Sequence, residues 1–174
     1  WVKLRNKAKE KAYDVATELL EIQAMRLARI GHCFPPADHS YDAFAAGFGF
    51  EETPDQHQVI NDVIGDMTTA KPMDRLVCGD VGFGKTEIAL RAAYMAIAGD
   101  KQVVMLVPTT LLAQQHYNNF ADRFADWPVN VELFSRFRTP KQTAEGIKGI
   151  KAGTIDIAIG THKLIQKDVE FKDL

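Results

Sequence analysis

The sequence has little cysteine: two in 174 residues, Cys33 and Cys78. That excludes a disulfide scaffold. A metal site around Cys33 and the adjacent His32 would need two further ligands at suitable spacing, and none is nearby. Cys78 falls in the apolar run Leu76-Val77-Cys78 and is expected to be a buried, reduced thiol. A reducing, cytoplasmic compartment fits that usage. There is no run of 18 apolar residues, which excludes a membrane-spanning helix and gives no reason to expect a membrane partner. A charged-then-apolar leader is absent as well. Charge of one sign is also missing: 21 Lys and Arg against 23 Asp and Glu leave −2, so any case for nucleic acid has to come from local patches. No motif recurs at a period of 20–50 residues. Apolar residues at 46% and charged residues at 25% exclude a disordered or collagen-like chain. The length is that of one domain, or of one domain with an appendage. The chain begins at Trp1 rather than Met, and the expectation is a piece of something longer.

Among the features present, a long helix comes first. Leu4, Ala8, Ala12, Val15, Leu19, Ile22 and Arg26 recur at a three-to-four spacing with no Gly or Pro between them, which predicts a helix over residues 3–30. It would span about 42 Å at 1.5 Å per residue. Gly31 and Pro35-Pro36 stop it, and Arg26 and Arg29 suit its C-terminal dipole. Lys3, Arg5, Lys7, Lys9 and Lys11 crowd its first turns, where cations are disfavoured and no capping residue precedes them. The helix is therefore expected to begin upstream of Trp1. The lysines form a solvated face or a contact for a partner or nucleic acid. Residues 31–52 form a connector with a short helix near 40–46. From Thr53 the pattern changes. Thr53-Pro54-Asp55-Gln56 opens a helix with inner residues Val59, Ile60, Val63, Ile64 and Met67. Apolar strand-like runs at Arg75–Cys78, Val103–Val107, Asn130–Phe134 and Ile155–Ile159 then alternate with helices over 85–98, 110–125 and 140–151. Such alternation implies an α/β fold, a parallel sheet covered on both faces.

Gly79-Asp80-Val81-Gly82-Phe83-Gly84-Lys85-Thr86 matches G-x-x-x-x-G-K-[ST] in full. Gly79 and Gly84 permit torsions and close approach that a Cβ would block. The loop N–H groups and the helix N-terminus behind them then face phosphates. Lys85 would reach the β- and γ-phosphates of ATP, and the Thr86 hydroxyl would hold Mg²⁺. A chance match in a chain of this length has odds on the order of one in a hundred. The match also follows an apolar run and precedes a helix, as the chemistry requires.

Thr53-Pro54-Asp55-Gln56 has two readings. It is a capping box with Pro at the first helical position, or Gln56 presents its amide to an adenine edge. Phe48 and Phe50 just upstream are either core residues or a stacking surface for the base. Ligands of open parallel sheets collect at the carboxyl ends of strands. Two more such ends carry polar residues: Pro108-Thr109-Thr110-Leu111-Leu112-Ala113-Gln114-Gln115-His116 and Gly160-Thr161-His162-Lys163. Their threonines are helix caps, or they grip the phosphates of a nucleic-acid strand. Ser135-Arg136-Phe137-Arg138-Thr139 adds a short basic and aromatic stretch between them. His116 and His162 have no visible nucleophile partner and are not expected to be catalytic bases.

In this order, the adenine-type Gln, the phosphate loop, P-T-T-L-L-A and G-T-H-K resemble the first motor domain of superfamily 2 helicases and translocases. The wording Met73–Thr86, with Pro108–His116, Ser135–Arg138 and Gly160–Leu164, resembles the bacterial transcription-repair coupling factors. RecG-like branch-migration helicases are the nearest relatives; they usually carry Ser where Phe83 stands. The resemblance implies a RecA-like phosphate-loop NTPase sheet with flanking helices, incomplete here. It divides the chain into a linker helix and connector over 1–46 and a motor domain over 47–174. It implies an ATP-driven translocase on double-stranded DNA that displaces stalled RNA polymerase and recruits excision-repair proteins. Residues 79–86 would carry ATP and Mg²⁺, with Lys85 and Thr86 the catalytic pair. Gln56 with Phe48 or Phe50 would contact adenine. Thr109, Thr110, Arg136, Arg138, Thr161, His162 and Lys163 match positions near the DNA track. The Asp-Glu-Glu-His box of the family is not among these residues, so the chain alone is expected to be inactive. A branch-migration helicase and a partner-binding module on a nucleotide-fold scaffold are the alternatives.

Overall fold

The computed structural model describes residues 1–174. The expected long helix is α1, Val2–Ala28. None of its residues is buried; only its C-terminal turns, from Ile22 on, approach the rest of the chain, near Pro72 and Asp74. It stops two residues earlier than its periodicity suggests. Arg29 turns extended, and Gly31 N–H donates to the Ala70 carbonyl at 2.7 Å. A Cβ at Gly31 would stand 2.8 Å from the Pro72 nitrogen, so glycine permits this close approach. Arg26 pairs with Asp74 rather than facing its own helix end. No helix is long and apolar enough to cross a membrane.

Asp38 caps α2 (His39–Ala46), accepting from the Ser40 and Tyr41 amides. Its Phe44 is fully buried, its ring centroid 4.6 Å from that of Tyr94 and 4.9 Å from that of Phe124. Burying one such ring contributes about 2–3 kcal/mol. In α3 (Pro54–Met67), Ile60, Val63 and Met67 are buried and Val59 and Ile64 half-buried, the inner face that the spacing predicts. The helix after the phosphate loop is α4, Lys85–Ala98, which packs Ile88, Leu90, Tyr94 and Met95 inward.

Three parallel strands form, β1 (Val103–Leu106), β2 (Val131–Phe134) and β3 (Ile157–Gly160), in the order β1-β3-β2. The crossovers are α5 (Thr110–Arg123) and α6 (Pro140–Ala152), followed by a 3₁₀ turn at His162–Ile165. β3 is central, paired to β1 through Val103↔Ile157 and to β2 through Val131↔Ile157. All four of its residues are buried, as expected of a strand hydrogen-bonded on both edges and covered on both faces. A Cβ at Gly160 would lie 2.5 Å from the Phe134 carbonyl oxygen, so the strands can approach only with glycine there.

Two expectations are corrected. Arg75–Cys78 is not a strand; it has no ladder partner, and Leu76 is 87% exposed. The reason lies in the sheet: β1 pairs with β3 alone, and no formed strand lies against residues 75–78. For the same reason Cys78 is an exposed free thiol, not a buried one. A feature that periodicity does not reveal is Gln102, buried behind β1. Its amide donates to the Ile150 and Ile155 carbonyls at 3.0 and 2.7 Å and accepts from the Lys172 and Asp173 amides. One side chain thus satisfies four backbone groups and pins residues 172–173 to the sheet.

Candidate functional site

Two cavities concern the site, one of mixed lining with Val59, Val77 and Ile88 among its walls, and one polar. The larger, about 470 Å³, lies at the phosphate loop and is lined by Thr53, Gln56, Cys78, Gly79, Asp80 and Phe83, with Lys85 among its further walls. Gly82 and Gly84 have positive φ, +87° and +69°, where a side chain is strained. A Cβ on Gly84 would also come within 2.5 Å of the Gln56 amide nitrogen. The amides of Val81, Gly82, Gly84, Lys85 and Thr86 donate to no backbone carbonyl. Together with the α4 N-terminus they form a concave set of free donors that suits a polyphosphate. Lys85 Nζ meanwhile donates to the Gly79 and Asp80 carbonyls at 2.6 Å each, folded across its own loop. Thr86 stands half-buried in the first turn of α4, where a hydroxyl can join a cation beside phosphates. The residues present therefore fit a nucleotide with its divalent ion.

Gln56 carries out the capping reading in full. Its Oε1 accepts from Thr53 N–H at 2.9 Å, and its own N–H donates to Thr53 Oγ1 at 3.2 Å. The same amide also donates from Nε2 to the Phe83 carbonyl at 3.0 Å, tying the α3 N-terminus to the phosphate loop. Phe48 is half-buried and Phe50 is 80% exposed. Their rings meet edge to face at 5.6 Å, and neither lines the cavity. Val81, Gly82, Gly84 and Thr86 lie outside its walls too.

The second cavity, about 360 Å³, is lined by Pro108, Thr109, Thr110, Arg136, Thr161, His162 and Lys163. Two separate strand ends and the basic stretch thus converge on one hollow. It has no hydrophobic lining and no carboxylate, so it favours an anion. Thr109 spends its hydroxyl capping α5, accepting from Leu112 N–H at 3.2 Å. Thr161, buried, makes no cap bond with its side chain. Arg136 is exposed, its guanidinium 5.5 Å from the Phe137 ring centroid. Arg138 does not join them. Its Nη2 donates to Glu132 Oε1 at 2.8 Å, back along β2. His116, on α5, lies outside both cavities, and burial alone pushes its imidazole toward the neutral form.

Sequence reasoning missed a buried ionic cluster behind the nucleotide cavity. Arg91 Nε donates to Glu87 Oε1 at 2.6 Å and Nη2 to Glu52 Oε1 at 2.6 Å. Arg123 lies 3.4 Å from Glu87 and covers the Phe44 ring at 4.1 Å. Burial drives the Arg91 pKa down, but the bonds to Glu87 and Tyr41 outweigh it and hold the group above its ordinary value. Only the Glu87–Arg91 spacing of four was visible beforehand, as one more helical ion pair.

With this geometry in view, comparison places the chain among known proteins. The DEAD/DEAH box helicase model matches residues 53–174. The chain belongs to that helicase family. The transcription-repair-coupling factor of Escherichia coli is 58% identical over all 174 residues, and that of Bacillus subtilis 49%. The chain spans about 15% of the length of these two relatives. Among solved structures, RecG bound to a three-way DNA junction superposes with a TM-score of 0.82 at 34% identity. That match covers 88% of this chain and 21% of RecG. The sheet and flanking helices are those of a RecA-like helicase domain, which bears out the expected fold class. Both cavities therefore lie on a helicase-type scaffold, and all of the residues that line them fall within the matched span.

Proposed function

We propose that the larger cavity is the ATP–Mg²⁺ half-site of a double-stranded DNA translocase and that the smaller one is its DNA phosphate track. The observation that carries the nucleotide reading is the row of five loop and helix amides without backbone acceptors, next to Lys85 and Thr86. In this reading Lys85 exchanges the Gly79 and Asp80 carbonyls for phosphate oxygens, and Thr86 holds the ion. Gly79 to Gly84 shape the cradle, and Asp80, Val81 and Phe83 complete the loop between the glycines. Gln56 holds the adenine side, with Phe48 and Phe50 as the base platform. Bound ATP with Mg²⁺ supplies the phosphoryl group whose hydrolysis drives movement. Thr109, Thr110, Thr161, His162, Lys163 and Arg136 grip one strand's phosphates, while Arg138 supports β2 through Glu132. No Asp-Glu-Glu-His box stands among the 174 residues, so the chain binds nucleotide without useful turnover.

The identity to transcription-repair-coupling factors supports the wider role. In that role the motor pushes a stalled RNA polymerase off its template and passes the lesion to excision-repair proteins. A division into a linker over 1–46 and a motor over 47–174, and a cytoplasmic location, belong to the same reading. The RecG superposition favours one second reading, a branch-migration helicase. Four-way-junction unwinding by the whole protein without polymerase release would select it.

The test is ATP–Mg²⁺ binding and turnover by the chain, with Lys85→Ala beside it. Binding weakened at least about tenfold by Lys85→Ala, with no turnover in either, is the expected result. Robust Lys85-dependent turnover would overturn the half-site. For the track, Arg136→Ala and Lys163→Ala should each weaken duplex binding and reduce the salt slope by about one. An unchanged slope in both removes the DNA reading.

A further inference from the structure

Residues 49–52 carry Phe50, the outer ring of the base platform, yet none of their backbone groups makes a backbone hydrogen bond. Gly49 has nothing within 4 Å of where a Cβ would stand, so packing does not fix that position either. The one polar tether of this stretch is the Glu52 carboxylate. Its Oε1 accepts from Arg91 Nη2 at 2.6 Å, and its Oε2 lies 3.1 Å from His57 Nδ1. Arg91 is itself held on several sides. It is 4% exposed and also donates to Glu87 at 2.6 Å, the Tyr41 hydroxyl at 3.3 Å and the Ala45 carbonyl at 3.4 Å. Burial works to raise the Glu52 pKa, but the bonds to His57 and Arg91 and the Arg91 charge outweigh it, so the carboxyl stays ionised at neutral pH. Charge-assisted bonds to a fixed guanidinium are short and directional. Arg91 lies on α4, the helix that begins at Lys85 and Thr86, and its partner Glu87 is the next residue after Thr86.

We propose that Glu52 is a positioning residue for the base platform: through Arg91 it registers Phe50, beside a Phe48 already anchored by its own bond to the Ala45 carbonyl, against the helix that opens at the phosphate loop. It thereby sets how strongly the site prefers a purine nucleotide over bare polyphosphate. The inference rests on the nucleotide reading of the larger cavity. A side chain that only stabilised the fold would change affinity for both kinds of ligand together. A side chain that positions the platform changes affinity for the base-bearing ligand alone.

The experiment measures ATP and inorganic tripolyphosphate, each with Mg²⁺, competing against a fluorescent ATP analogue on the 174-residue chain. Glu52→Gln should weaken ATP about tenfold and tripolyphosphate less than about twofold. Glu52→Asp should recover part of the loss. Ile150→Ala, a buried change in a separate core cluster that holds neither Arg91 nor residues 49–52, should leave the ratio of the two affinities unchanged even where it lowers the melting temperature. Phe50→Ala sets the largest change the platform can give. Should Glu52→Gln not fold, the same ratio is read on Glu52→Asp. Parallel loss of both ligands in the Glu52 variants overturns the proposal, as does an unchanged ratio where Phe50→Ala collapses it. A wild-type chain that binds neither ligand removes the nucleotide reading itself. One that binds both equally with Phe50→Ala silent leaves a phosphate site without a base platform, and the positioning role falls.

Discussion

Arg75–Cys78 and Ile157–Gly160 are similar runs of sequence with opposite fates. Both are short and mostly apolar, and both lead into a glycine-bearing polar motif. Ile157–Gly160 becomes β3, bonded on both edges, with Ile157 and Ile159 fully buried. Arg75–Cys78 stays extended and unpaired, with Leu76 87% exposed. The difference teaches that apolar patterning records the capacity to be a strand, while a neighbouring edge makes the strand. What holds the unpaired run is Val77, half-buried against the core, together with polar pairs. Arg75 reaches Asp66 at 2.7 Å and Asp62 at 3.2 Å on α3, and Asp74 accepts from Gln23 and Arg26 of α1. The segment that delivers the chain to the phosphate loop is thus aimed by one core contact and surface ion pairs, while the residues of the second cavity follow the ends of three paired strands.

The contrast can be broken most strongly at its buried end. Ile159→Ala should cost about 3–4 kcal/mol of unfolding free energy by chemical denaturation, through lost burial and a cavity at the sheet centre. Leu76→Ala should stay within about 0.5 kcal/mol. Equal costs would mean that residues 75–78 are packed after all. Gly160→Ala comes next. Its Cβ would meet the Phe134 carbonyl at 2.5 Å, backbone that cannot swing aside, and a loss of about 2 kcal/mol is expected. A neutral substitution there would show that β2 and β3 can separate cheaply. Arg75→Ala should leave global stability nearly unchanged, since its pairs are partly exposed. It should nonetheless speed amide exchange at Leu76 to Cys78 relative to β3. Unchanged exchange would assign the ordering of that run to something other than Arg75.

Much of this fold was legible because local signals agreed. Gly79–Thr86 fixes its own loop chemistry, Thr53 and Thr139 cap their helices with a Gln three residues on, and α4 spans the expected residues. Six of the seven residues matched to the track do gather in one hollow, because strand ends of a parallel sheet lie on one side. Arg138 escaped because its partner Glu132 is six residues away along β2, a pairing that charge counting cannot see. The Arg91 cluster and the Gln102 clip were illegible for the same reason. They join residues 39 and 71 positions apart, and only the fold brings them together.

The finest test of the contrast is protonation. Asp66 has its carboxyl held below the usual Asp value, chiefly by the Arg75 bond; burial opposes this next, and the charges of Arg75 and then Lys71 add to the lowering. A folded-state pKa below the unfolded one means that the unfolded chain binds the proton more readily. The contribution is therefore complete above the ordinary value of 3.8 and is lost as pH falls through the lower folded value. Both side chains are about one-third exposed, so water screens the pair and the global effect is small. The local effect is what can be read. Between about pH 5 and about pH 2.5, while far-ultraviolet dichroism still reports intact helices, the Arg75 Nε–Hε resonance should move as Asp66 protonates. In Asp66→Asn it should stay still. β3 amides should respond identically in both, since Asp66 does not touch that strand and Asp156, whose carboxylate accepts from Asn130 N–H at 2.7 Å beside it, is the same in each. Identical movement in the variant would shift the tether to Asp62, and a β3 response that differs between wild type and Asp66→Asn would erase the distinction between the two runs.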